Sequence, residues 1–422
     1  MGSLDQSHSG AMPPLRYIPL SYNPSDSQSS ALRLVLTLNP DWEGPDNKVE
    51  LVRFTDGITN TLLKIINRKP GLTEEQIDND AVLMRAYGNH TEILIDRERE
   101  TKTHALLASR NLAPALLARF QNGLLYRFIR GQVTTPPDLL RPPIWRGVAE
   151  RLGQWHAVLP INQAASSAPD AQDAVSAREF NTDVQGKPAT LLTPISTQQP
   201  VPNMWTVLQK WILALPVATE EQQTRRLSLQ KELERVVGEL ADRTSLGDQG
   251  LVFAHCDLLS ANVIVLPRST ANEKDTNKVE VNFIDYEYAT PSPAAFDIAN
   301  HFAEWGGYDC DYNMLPTRAV RREFLTEYVR SYCQHNGRTD GSSQPDLVRR
   351  LFDDVDRFRG IPGFYWGVWA LIQAQISQID FDYASYAEVR LGEYYAWRRE
   401  CDGSRVAGEE MPLRERRWAS ES

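Results

Sequence analysis

At 422 residues the chain is longer than one compact core usually holds, and about 150 residues per domain predicts two or three domains. Its 45 basic and 55 acidic residues leave a net charge of −10, which excludes a broad basic field for a phosphate polymer or an anionic bilayer, so neither nucleic acid nor membrane is an expected partner. With 41% hydrophobic and 24% charged residues the composition is that of a soluble globular protein, and 26 prolines point to long loops.

The first 30 residues, rich in Ser, Pro, Gly and Gln, are expected to form a disordered leader. They lack the apolar run of a signal peptide, and Gln6 stands where a myristoylation motif needs Ser or Thr. Leu32, Leu34, Leu36 and Leu38 alternate like a strand, yet Asn39, Pro40 and Trp42 close the segment as they would close a helix, so both readings stay open. Lys48 to Phe54, Thr61 to Ile66 and Ala81 to Ala86 read as strands of an antiparallel meander. Asp96 to Arg110 reads as a charged helix with a buried edge. Leu116 to Phe120 and Gly123 to Ile129 flank the hairpin signal Gln121-Asn122-Gly123.

From Ile144 the character becomes helical, with apolar Val148, Leu152 and Trp155 at helical spacing. Residues 161–202, dominated by Ala, Ser, Gln, Thr and Pro, are expected to loop out as a flexible insertion. Helices follow at Met204 to Leu215 and Glu220 to Ala241, then a strand at Leu251 to Ala254; Arg268 to Lys278 is polar and hairpin-like, and the chain beyond Phe296 is helical with aromatic punctuation. The four cysteines are scattered without zinc or disulfide spacing, which predicts reduced thiols and a cytoplasmic protein. No apolar run reaches the length of a membrane span.

The richest stretch runs from Phe253 through His255, Asp257 and Asn262 to Val265, and after a hairpin-sized gap Val281 to Ile284 lead into Asp285. Two short strands therefore each deliver an acid, with Asn262 five residues after the first. This suits phosphoryl transfer from a nucleotide. Asp257 can orient and deprotonate an attacking hydroxyl, while the oxygens of Asn262 and Asp285 can hold magnesium. Taken singly, His255 reads as a buried brace for the loop, Asp257 as a turn cap and Asn262 as an Asx turn; their joint order favours chemistry. In the first half, Gly57 with Thr55, Thr59 and Asn60 can turn amides and hydroxyls towards phosphate, or simply form a hairpin. Arg85 has the place of a fixed cation for phosphates and Glu100 could hold it extended, the plain alternative being a surface salt bridge.

The ordered set Phe54-Thr55-Asp56-Gly57-Ile58-Thr59-Asn60, Val82 to Gly88, Asp96-Arg97 with Glu100, His255-Cys256-Asp257-Leu258-Leu259, Phe296 to Phe302, Trp366 to Gln373 and Ile379 to Tyr383 resembles the choline/ethanolamine kinase family, and its ethanolamine kinases more closely. The resemblance covers about residues 30 to 400 apart from the insertion. It implies an α+β, two-lobed, protein-kinase-like fold with a small antiparallel sheet lobe over residues 31–130. A larger, mostly helical lobe follows over 131–405, with a tail at 406–422. It also implies ATP and Mg2+ as cofactors and ethanolamine as acceptor, with Asp257 as base, Asn262 and Asp285 on magnesium, and Thr55, Gly57, Thr59, Asn60, Arg85 and Glu100 on the nucleotide. The chain departs from the family at Tyr126-Arg127-Phe128, where an acidic linker residue is usual, and at Leu315-Pro316, where Tyr-Pro is usual.

A small cation is best held by carboxylates and ring faces. Trp366 and Trp369 lie on one helix face, with Glu304, Trp305 and Tyr308 as a second wall; core packing is the plain alternative for the two tryptophans, which the resemblance outweighs. Glu304, Asp309 and Asp311 lean the pocket towards a primary amine that donates hydrogen bonds, with choline kinase or dual activity as the alternative. An aminoglycoside-type kinase and a pseudokinase scaffold are the remaining readings, and a homodimer stays open.

Overall fold

The computed structural model describes residues 15–54, 60–88, 95–161, 199, 202–243, 246–247, 249–268, 278–337, 343–377, 379–409 and 413–422. The chain divides into two compact units, 1–89 with 114–129 and 90–113 with 130–422. The expected phosphate loop, with Thr55, Gly57 and Thr59, lies outside the described residues, as do nearly all of the expected insertion and residues 1–14 of the expected leader.

The first unit is a six-stranded sheet in the order β1-β5-β6-β4-β3-β2. Its strands are β1 Tyr17–Ile18, β2 Lys48–Phe54, β3 Asn60–Arg68, β4 Val82–Tyr87, β5 Leu116–Phe120 and β6 Gly123–Arg127. All neighbours are antiparallel except β1 on β5. Residues 15–30 of the expected leader take part in this unit: Tyr17 pairs with Arg119, and helix α1 Ser27–Leu38 buries Ala31, Leu34 and Val35 against the sheet core. The segment resolves as helix because Ala31, Leu34, Val35 and Leu38, three and four residues apart, share one face towards the sheet. The short helix α2 Glu74–Asp80 opens with a capping box between Thr73 and Gln76.

The second unit is mostly helical. Helix α3 Arg97–Ser109, expected in the first lobe, belongs here: Ile95, Leu106, Leu107 and Leu112 join the core that holds Trp145 and Trp155. Asp96 caps it by accepting from the Glu98 and Arg99 amides. After β7 Gln132–Val133 come α4 Pro136–Leu139, α5 Pro142–Val158, α6 Met204–Ala214 and α7 Glu220–Leu240. Four short strands follow, β8 Val252–Ala254, β9 Val263–Val265, β10 Val281–Phe283 and β11 Thr290–Ser292, with β10-β9-β7 forming one sheet and β11-β8 another. The chain ends with α8 Ala294–Ala303, α9 Arg318–Asn336, α10 Gln344–Phe358, α11 Ile361–Ile376, α12 Tyr383–Cys401, α13 Ser404–Ala407 and α14 Leu413–Ala419.

Residues expected as a tail are in part docked. Trp418 is buried, its ring lies 3.8 Å from the Arg321 guanidinium, and its indole N–H donates to Asp356. Helix α11 is apolar on nearly every side, as a helix buried in a core should be. It meets α12 closely at Gly363, where an added Cβ would stand 2.6 Å from the Arg390 carbonyl oxygen. Gly363→Ala is therefore expected to cost about 1–3 kcal/mol by forcing the two helices apart. Urea unfolding measures it, and an unchanged midpoint would mean the helices can separate without loss.

Candidate active site

The register of two strand pairs brings the acidic candidates together. Val263 pairs with Phe283, so Asn262 and Ile284 lie just outside the same end of β9-β10, and the Ile284 amide donates to the Asn262 carbonyl at 3.0 Å. Asp285 comes next in the chain. On the other pair, β8 ends at Ala254 and releases His255, Cys256 and Asp257. Two residues here adopt left-handed backbone without being glycine, Cys256 at φ 65° and Asp285 at φ 60°. Each such position costs about 1–3 kcal/mol unless its surroundings hold it.

Asp297 on α8 holds the first. Its fully buried carboxylate accepts from the His255 amide (2.9 Å) and the Cys256 amide (2.8 Å), and His156 Nε2 lies 2.9 Å from the same oxygen that His255 uses. Burial alone would raise this carboxyl, but the hydrogen bond and field of His156, with the field and amide of His255, overcome it and keep Asp297 below the usual range. Asn300, one turn on, donates to the Cys256 carbonyl at 2.9 Å and accepts from the Trp366 indole at 2.8 Å. Cys256 is thus held through both its amide N–H and its carbonyl. His255 is a buried brace, as one reading of the sequence had it: its Nδ1 accepts from the Asp257 amide and its Nε2–H donates to the Ile284 carbonyl, 3.0 Å away, which ties the Asp257 loop to the Asp285 turn. This use of both nitrogens fixes the neutral tautomer, and burial lowers its pKa in agreement.

Asp257 is buried. Its carboxyl is pushed well above the carboxylate range by burial, and further by the charges of Asp285, Glu304 and Glu287; the Asn262 amide is the one group that opposes this among the causes resolved. Asn262 Nδ2 donates to the Asp257 carbonyl at 2.7 Å and lies 3.3 Å from its carboxylate. A carbonyl can take only the amide nitrogen, so the amide oxygen of Asn262 is left for a cation. That oxygen with the carboxylate of Asp285 is an all-oxygen donor set. Among the described residues no three His, Cys, Asp or Glu form a closed cage, and magnesium suits such a sparse set because it keeps waters and substrate phosphates as its other ligands. The residues fit the ion.

The amine-side candidates separate into two groups. Trp305 is fully buried and donates to His301; Trp366 and Trp369 are buried and donate to Asn300 and to the Tyr288 hydroxyl. Tyr308 is 48% exposed, and its hydroxyl is raised by burial of the phenol oxygen and by the fields of Asp257 and Glu304. Glu304 is buried and paired with Arg390 at 3.1 Å. Rings continue from Trp366 through Trp369 and Tyr383 to Phe381, which meets both Tyr386 and Tyr308. Sequence reasoning gave no role to Asp297, Asn300, Tyr386 or Arg390; Asp297 and Asn300 fall inside a motif the resemblance quotes, which was the available signal. Of the nucleotide-side candidates, Asn60 opens β3 and Arg85 is buried on β4 opposite Leu62 and Leu124. Glu100, in the other unit, is buried and forms an ion pair with Arg97 at 2.9 Å, and Arg97 also reaches Glu287 at 3.4 Å. In the departing linker, Arg127 donates to the Asp80 carbonyl and Phe128 lies under the Lys64 ammonium.

His301 carries the pH sensitivity of this layer. Its Nδ1–H donates to the Leu258 carbonyl and its Nε2 accepts from Trp305, and burial lowers its pKa from 6.5 to about 4. Between those values the unfolded chain takes up a proton that the folded chain refuses, so His301 makes stability fall as pH drops from about 6.5 towards 4. Unfolding free energies across that window should show His301→Gln losing less stability on acidification than the wild type; equal slopes would remove His301 as the cause.

Comparison with known proteins identifies the family and the fold. A family model described as choline/ethanolamine kinase matches residues 51–395. Ethanolamine kinase 1 of Mus musculus is 34% identical over 383 residues, covering 88% of this chain and 90% of the relative. Ethanolamine kinase 2 of Homo sapiens is 31% identical over 380 residues, covering 90% and 83%. An ethanolamine kinase structure from Plasmodium vivax superposes with a TM-score of 0.63 at 23% identity, covering 88% of this chain and 89% of that one; this likeness establishes the two-lobed, protein-kinase-like α+β fold. No helix among the described residues is long and apolar enough to cross a membrane.

Proposed function

Because the chain belongs to the choline/ethanolamine kinase family, we propose that it transfers the γ-phosphoryl group of ATP to the hydroxyl of ethanolamine, giving phosphoethanolamine, the first step towards phosphatidylethanolamine. The observation that carries this reading is the buried Asp257 with Asn262 hydrogen-bonded to it, in the shared field of Asp285 and Glu304. Positioning and charge do most of the work in such transfers. Asp257 accepts the hydroxyl proton as the new oxygen–phosphorus bond forms and the bond to the ADP oxygen breaks. Asn262 and Asp285 would hold magnesium, which together with ATP supplies the phosphoryl donor and the positive charge that the acidic centre lacks.

Glu304 is the proposed acceptor for the ammonium, with Tyr308, Trp366 and Trp369 as ring wall and Trp305 behind it. Asn60, Arg85 and Glu100, with Thr55, Gly57 and Thr59, are the proposed nucleotide contacts on the strength of the family motifs. The scattered cysteines support a cytoplasmic enzyme. Choline is a second acceptor in this reading, because the continuous run of rings through Trp369, Tyr383 and Phe381 offers faces that a trimethylammonium group can use.

Purified protein with magnesium and ATP should consume ATP on addition of ethanolamine and do so more slowly with choline. A kcat/KM ratio favouring choline would overturn the acceptor, and turnover of neither would overturn the kinase reading. Asp257→Asn should lower kcat by about 10²–10⁴-fold with little change in Tm, whereas near-normal turnover would remove Asp257 as the base.

A further inference from the structure

The carboxylate proposed to meet the amine is not alone. Glu304 is buried against Arg390, whose side chain is 1% exposed. The Arg390 guanidinium sends Nη2 to Glu304 at 3.1 Å, Nε to Glu393 at 3.3 Å and Nη1 to the Cys310 sulfur at 3.8 Å. Its carbon stands 5.8 Å from the centre of the Tyr386 ring, and Tyr386 in turn contacts Tyr308. The backbone of this residue is seated where α12 rests on Gly363 of α11. Arg390 is thus fixed by both its main chain and its side chain.

The charge count matters. One guanidinium faces two buried carboxylates, and a buried carboxylate with no cation beside it takes up a proton instead. We propose that Arg390 is a positioning residue for the amine: it keeps Glu304 ionised and aligned, and by doing so gives the pocket its preference for a primary ammonium over a quaternary one. The inference rests on the reading of ethanolamine as acceptor. An ionised Glu304 accepts an N–H from a primary ammonium, whereas a protonated one spends its oxygen on its own proton. A quaternary ammonium has no N–H to donate and depends on ring faces, so it gains less from the same carboxylate. Burial holds the Glu304 carboxyl above the usual carboxylate range and the guanidinium opposes that rise, so what ionisation Glu304 keeps depends on the Arg390 contact. Lysine could not substitute. A single ammonium is a point charge, while the planar fork of arginine serves Glu304, Glu393 and the sulfur at once.

Steady-state kinetics of the full chain with magnesium and ATP, run with ethanolamine and with choline, test the proposal. If the wild type does not use ethanolamine, the acceptor reading fails and this inference falls with it. If it does, Arg390→Lys should raise the KM for ethanolamine roughly ten- to hundredfold, the loss of one charge-assisted hydrogen bond, with the KM for ATP unchanged and the KM for choline moved much less. A second variant avoids leaving Glu304 as a buried charge without its partner. Arg390→Gln with Glu304→Gln removes cation and anion together, and its ethanolamine KM should equal that of Glu304→Gln alone. An ethanolamine KM in Arg390→Lys equal to wild type would overturn the proposal. So would a parallel rise in the KM of both amines and of ATP, or a double variant with a clearly higher KM than Glu304→Gln.

Discussion

One buried carboxylate holds the loop from His255 to Asp257 in a shape it would not take alone. Asp297 receives the amides of His255 and Cys256 and faces His156, which is itself set by the Tyr328 hydroxyl at 2.7 Å. These bonds oppose the cost of the left-handed Cys256 backbone. Because Cys256 is turned in this way, Asp257 follows at once beside Asn262, and His255 is free to reach across to the Ile284 carbonyl. The strain at Cys256 and the strain at Asp285 are thus tied by one imidazole. A loop braced from α5, α8 and the β10 end can present an acid to a reacting hydroxyl without reorganising when charge moves, which is where much of an enzyme's electrostatic advantage lies.

The tryptophans of α11 take part in the same scaffold. Each indole N–H meets an oxygen, of Asn300 or of Tyr288, so neither ring hides an unsatisfied donor. Through Asn300 the Trp366 indole is one bond removed from the Cys256 carbonyl. Both rings are also packed edge-to-face among their neighbours, Trp366 against Tyr288, Tyr365 and Trp369, so core packing accounts for what the structure shows of them.

Much of the fold could be read from the residues because the relevant forces are local. Alternation along Lys48–Phe54 marks β2, the Asn122-Gly123 turn marks the β5-β6 hairpin, and the Asp96 cap starts α3 where its charges begin. Tyr17–Ile18 had no such signal, since a two-residue strand in a parallel pair is defined only by its partner, Arg119-Phe120, about a hundred residues away. The helical nature of Ser27–Leu38 was hidden because the alternating leucines mask the three-and-four spacing of Ala31, Leu34, Val35 and Leu38. In the site, Asp257, Asn262 and Asp285 were legible since strand ends and spacing mark them. Asp297 and Arg390 were not, because their work is done on backbone amides 41 and 42 residues away and on a glutamate 86 residues away. A contact of that separation leaves no periodicity behind.

The acidic excess of the whole chain has a local counterpart. Asp257, Asp285, Glu287, Glu304 and Glu393 gather in one unit, and the guanidiniums paired with this group, Arg97 and Arg390, are shared: Arg97 between Glu100 and Glu287, Arg390 between Glu304 and Glu393. Burial makes such an excess costly, and the raised Asp257 carboxyl is its direct expression. A protein interior of this kind is stabilised by whatever cations it binds and not by polyanions, which is why the same negative charge that excludes nucleic acid also favours a small ammonium. Affinity for the amine then depends less on the number of carboxylates than on which of them is kept ionised. That choice falls to the arginine beside Glu304, a residue that need never touch the substrate to decide which substrate is held.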